Sequence, residues 1–122
     1  MITGVTSVTV YVEDQNKAKT FWIEKIGFRL LKEIPMDADG SWTEVAPPEG
    51  DTVLVIYPRA YMKNWDRMQP SIMFSCKDIR QTYERLKKNG VAFLGEPMKM
   101  KWGTFAQFYD SEGYVHYLKE QQ

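Results

Sequence analysis

The stretch Ser7–Gly27, SVTVYVEDQNKAKTFWIEKIG, returns in altered form at Ser71–Gly90 as SIMFSCKDIRQTYERLKKNG. In both, a serine opens a short apolar run and an aspartate follows seven residues later, Asp14 or Asp78. A helical pattern then runs to a glycine. The serines and the aspartates stand 64 residues apart and the glycines 63, so the second helix is one residue shorter. A period of about half the chain predicts two copies of one supersecondary unit.

Within the first copy, Val8, Val10 and Val12 alternate with Ser7, Thr9 and Tyr11, the period of a half-buried strand. Asp14 stands where a carboxylate can accept from the free N–H groups of a helix start. Ala18, Phe21, Trp22 and Ile26 recur at helical spacing, and Gly27 fits the left-handed position that closes a helix. The valines then face the helix, and Ser7, Thr9 and Tyr11 face the other side of the sheet. Three more strands are expected at 28–34, 41–46 and 52–57, separated by Pro35 with the DADG turn at Asp37–Gly40 and by Pro47-Pro48 and Glu49-Gly50.

The second copy repeats the order: a strand at 71–76, a helix capped by Asp78 with Gln81 three residues on, then strands at 91–94, 104–109 and 114–119. The segment between, Arg59–Gln69, has no strand pattern, but Tyr61, Met62, Trp65 and Met68 give it an apolar load. The expectation is a single domain, 1–122, of two βαβββ units at about 1–58 and 70–122, joined by 59–69.

Composition narrows the function. Sixteen basic residues balance sixteen acidic ones, with no long like-charge block, so neither nucleic acid nor an anionic membrane surface is an expected partner. No apolar run reaches the ~18 residues of a spanning helix, and the opening MITGVTSVTV lacks a signal peptide's basic start. The one cysteine, Cys76, allows no internal disulfide, which fits a reducing cytoplasm. Aromatic residues make up 14% and there are seven methionines, enough to line a site as well as fill a core.

Two tandem βαβββ units, with VYVEDQNKAKTFWIEKIGF (Val10–Phe28) and FAQFYDSEGYVHYLKE (Phe105–Glu120), resemble the vicinal oxygen chelate superfamily of glyoxalase, bleomycin-resistance and extradiol dioxygenase proteins. The resemblance implies an α+β fold: a curved mixed sheet with helices on its convex face, commonly assembled as a homodimer. In metal-using members, four side chains on the concave face hold a divalent ion. Carried onto this chain, those positions are Ser7, Leu54, Ser71 and Tyr117, the second obtained by matching Glu49-Gly50 to Glu112-Gly113. Leucine has no donor atom, and hydroxyls are weak ligands where oxygen cations take carboxylates and zinc takes imidazole or thiolate. The expectation is therefore no metal and no cofactor, and a protein leaning away from enzyme.

The remaining candidates line the expected concavity: Thr9, Tyr11, Trp42, Glu44, Met73, Trp102, Phe105, Gln107 and Tyr117. Aromatic walls with a few polar groups suit a small organic ligand, and Glu44 among aromatics suits a cation or a base. His116 and Cys76 are expected on the helix side, a structural histidine and an inert thiol. The reading is a metal-free small-molecule binder. The alternatives are a metal-dependent lyase, isomerase or dioxygenase with relocated ligands, such as Glu44 and His116, and a non-catalytic dimeric interaction domain.

Overall fold

The structure is a computed structural model that describes residues 1, 5–36 and 40–121. The expected turn residues Asp37 to Asp39 lie outside the described residues. The chain forms two compact units, Met1–Pro70 and Ser71–Gln122.

In the first unit, β1 (Ser7–Val12) leads into α1 (Gln15–Thr20), followed by β2 (Arg29–Pro35), β3 (Ser41–Ala46) and β4 (Val53–Pro58). The second repeats it with β5 (Met73–Cys76), α2 (Ile79–Lys88), β6 (Met98–Met100), β7 (Gly103–Tyr109) and β8 (Val115–Glu120). Each unit carries its own four-stranded mixed sheet, in the order β1-β4-β3-β2 and β5-β8-β7-β6. The first strand pairs in parallel with the fourth and the other pairings are antiparallel. The α+β class and the tandem βαβββ order are thus as expected, with two sheets in place of one curved sheet.

Local chemistry explains the helix limits. Asp14 and Asp78 each accept a backbone N–H three residues on, from Lys17 and Gln81, both at 3.0 Å. Gly27 and Gly90 close the two helices at φ 97° and 96°, a left-handed backbone that favours glycine. The extra residue of the first copy is absorbed between them: after Thr20 the chain widens into a π turn over Phe21–Lys25, with Ile26 N–H bonded to Phe21 C=O at 3.0 Å. That turn places Phe21 and Trp22 in the first core, with Val10, Val12, Ala18, Val45, Leu54 and Ile56. The second core is Ile79, Tyr83, Leu86, Val91, Ala106, Phe108 and Leu118.

One strand departs from expectation. Residues 91–94 supply only an isolated bridge, Phe93 to Phe108, and the ladder begins at Met98. Gly95 at φ 100° turns the backbone away, and Pro97 lacks an N–H, so pairing resumes only beyond them.

Candidate functional site

Strand register decides which residues share a face. In the first unit Thr9 pairs with Val55 and Tyr11 with Tyr57, while Glu44 pairs with Val55 from the other side. Alternation then puts Thr9, Tyr11, Trp42, Glu44 and Tyr57 on the face opposite the helix. Their rings meet around Tyr57. The Tyr11, Trp42 and Tyr61 centroids lie 6.1, 5.9 and 6.0 Å from it, with interplanar angles of 88°, 76° and 78°. Edge-to-face contacts of this kind suit the ring quadrupoles. The Trp42 Nε1–H donates to Glu44 Oε2 at 2.7 Å, which anchors the half-buried carboxylate within the group.

Tyr61 comes from the connecting segment, where short 3₁₀ turns cover Arg59–Tyr61 and Trp65–Arg67. A Cβ built on Gly40 would stand 2.7 Å from the Tyr61 hydroxyl oxygen, so only glycine permits this approach. The Arg59 guanidinium lies 4.3 Å from the Trp65 ring centroid and 3.1 Å from Glu13, tying the segment to the end of β1.

Beneath Trp42 and Tyr57, on the helix side, the β3–β4 ladder stops at Thr43 and Ile56. The Gln15 side chain takes its place. Its Nε2 donates to the carbonyls of Ser41 at 2.7 Å and Ile56 at 2.9 Å, and its Oε1 accepts the Ser41 N–H at 3.0 Å. One amide from the first turn of α1 thus fixes the backbone just before both rings.

In the second unit Met73 pairs with Tyr117, Gln107 with Tyr117, and Phe105 with Lys119. Met73, Phe105, Gln107, Tyr117 and Lys119 therefore share the face away from α2. Met73 is 53% exposed, while Phe105, Gln107 and Tyr117 are half-buried. Trp102, in the β6–β7 turn, is 65% exposed.

The register also corrects one assignment. Val55, not Leu54, is the counterpart of Tyr117: each pairs with the first strand two residues past its serine, and with Glu44 or Gln107. The β3–β4 connection is one residue longer than β7–β8, and a slip of one flips the face, so Leu54 (3% exposed) points to the helix. The family's metal positions become Ser7, Val55, Ser71 and Tyr117. Valine also lacks a donor atom, and three hydroxyls do not fit a divalent ion. Among the described residues, no three His, Cys, Asp or Glu side chains come together as a metal group.

His116 is 1% exposed and faces the helix side. Its Nε2–H donates to Asp110 Oδ2 at 2.7 Å, while Asp110 Oδ1 accepts the N–H groups of Glu112 and Tyr114 at 2.9 and 3.0 Å. The pair clamps the β7–β8 turn from inside, a structural role. Glu44 and His116 stand in different sheets, on the open face of one and the helix face of the other. Burial pushes the half-buried Cys76 thiol up from its ordinary range, which keeps it protonated near neutrality.

Tyr57, Tyr61, Lys119 and Gln15 were not among the expected site residues. Tyr57 and Lys119 could have been found by carrying strand alternation through β4 and β8. Gln15 has no sequence signal, because its role depends on where two distant strands part.

Two parallel-antiparallel βαβββ sheets built in this way define a class, and the family comparison agrees. The chain belongs to the Glyoxalase/Bleomycin resistance protein/Dioxygenase superfamily, whose model matches residues 4–116. It is 56% identical over 120 residues to the uncharacterized protein YetH of Bacillus subtilis, covering 98% of this chain and 100% of that one. Among solved structures, it is similar to TnmS3, an antibiotic binding protein from Streptomyces sp. CB03234, with 35% identity and a TM-score of 0.83 over 99% and 98% of the two chains. A superfamily member from Sphaerobacter thermophilus matches with a TM-score of 0.86 at 28% identity over 98% of each chain. No described helix is long and apolar enough to cross a membrane.

Proposed function

We propose that this chain is a small-molecule-binding protein that takes flat organic compounds on an aromatic open sheet face and uses no divalent metal there. The observation that carries the reading is the group of rings around Tyr57, with Glu44 fixed on Trp42. Such a surface offers stacking area and the Glu44 carboxylate for orientation, with Lys32 of β2 paired opposite it, and among the described residues it brings no nucleophile–base pair for chemistry. The similarity to an antibiotic binding protein supports the same reading. Sequestration is then the function, with the two units acting as one domain in a cytoplasmic homodimer.

A thermal-shift screen with planar aromatic compounds, antibiotics included, tests it. A ligand at a hundred times its Kd stabilises the fold by about 2.7 kcal/mol, a shift of several degrees. A hit whose shift disappears in Trp42→Ala and Tyr57→Ala supports the reading. No hit across the panel, with one tightly held ion per subunit in native mass spectrometry after soaking in zinc, nickel or manganese, replaces it with a metal enzyme.

A further inference from the structure

We propose that the open face of the second sheet is an anion subsite, with Lys119 as its cation, for the carboxylate of a flat aromatic ligand. The inference rests on the small-molecule reading and names the charge that the ligand carries.

The register gives the two units the same four positions. Glu44, Val55, Trp42 and Tyr57 in the first correspond to Gln107, Tyr117, Phe105 and Lys119 in the second. The first set carries one negative charge and the second one positive charge. Across the second sheet's open face, from Met73 and Ser75 to Met98 and Met100, no position is Asp or Glu. Among the described residues, no carboxylate pairs with Lys119.

Lys119 is nonetheless half-buried and held in place. Its stem crosses Gly103, where an added Cβ would stand 3.2 Å from Lys119 Cε, and its ammonium lies 5.8 Å from the Phe105 centroid. A half-buried ammonium resting on a ring retains most of its demand for a counter-charge. Gln107 and Tyr117, paired on the same face, each add a donor that a carboxylate can accept from, and the Phe105 and Tyr117 rings offer surface for a flat body.

The experiment compares 2-naphthoate with 2-naphthalenemethanol, which share a ring system and differ in charge. Binding is measured by titration calorimetry at fixed ionic strength, using wild type, Lys119→Met and Lys119→Arg with matched urea midpoints. Wild type is expected to favour the carboxylate about tenfold, equivalent to about 1.4 kcal/mol. Lys119→Met should erase that preference while leaving the alcohol's affinity within about twofold, and Lys119→Arg should keep it. Equal affinities in wild type, or a preference that survives Lys119→Met, overturn the subsite and leave the small-molecule reading intact. Failure of both naphthyl compounds, together with the whole thermal-shift panel, overturns both.

Discussion

Replacing Gln15 tests how the aromatic face is held. Its amide makes three backbone hydrogen bonds of 2.7–3.0 Å where the β3–β4 ladder has stopped. Each such bond contributes about 1 kcal/mol net, and a part-buried carbonyl or N–H left alone costs about 1–3 kcal/mol. Water reaches some of these groups, and alanine at the first helical position returns a few tenths of a kcal/mol. Gln15→Ala should therefore cost about 2–4 kcal/mol. With a urea m-value of about 1–3 kcal/mol/M, the midpoint falls by about 1–2 M.

Gln15→Glu sharpens the test. One oxygen of the substituted carboxylate can still accept the Ser41 N–H, but the other faces the carbonyls of Ser41 and Ile56, which Gln15 now satisfies as a donor. Ionisation is disfavoured in the folded state, so the folded pKa lies above the unfolded value of about 4.3. The sign follows: the variant approaches wild type below that pH and loses stability as pH rises through the folded pKa. Urea melts at pH 4 and pH 7 read this directly. A Gln15→Ala midpoint within about 0.3 M of wild type, or a Gln15→Glu deficit independent of pH, would refute the reasoning.

Asp110→Ala removes three accepted bonds and leaves His116 buried, so it should cost about 3–5 kcal/mol in urea unfolding, whereas Asp110→Asn keeps the two turn bonds and should cost less. Asp14→Ala and Asp78→Ala each lose one cap bond and should each cost about 1 kcal/mol in the same assay. The Cys76 thiol, raised by burial, should react slowly with iodoacetamide near pH 8. Because the unfolded chain ionises first, the stability it contributes is complete below the ordinary thiol pKa of about 8.5 and declines above it, a slope absent from Cys76→Ala.

Much of the fold was legible because alternation and capping are local. Ser7–Val12 and Ser41–Ala46 have the observed limits, and both capping aspartates bond as their position predicts. β6 was not legible: Val91–Leu94 has strand composition, but Gly95 and Pro97 move the pairing to an exposed MKM. For the site, Trp42 and Glu44 are joined by a bond that alternation anticipates, since residues two apart in a strand share a face. Leu54 failed for a countable reason, a turn longer by one residue. Gln15 failed for a deeper one, because a side chain that substitutes for ladder bonds is defined only by the tertiary structure.

The π turn at Phe21–Lys25 bears on how this chain can vary. It takes up a residue within a helix, as the longer β3–β4 turn takes up another, and neither disturbs which way a strand residue points. The half-to-half offset is 64 at the opening serines, 63 at Glu44 and Gln107, and 62 at Val55 and Tyr117. Length changes are thus confined to elements that can dissipate them, while the strands behave as fixed type in a printer's frame. A deletion that restores an ordinary α turn before Gly27 should leave both sheets in register, whereas a deletion of the same size inside β4 would exchange the ring-bearing face for the core.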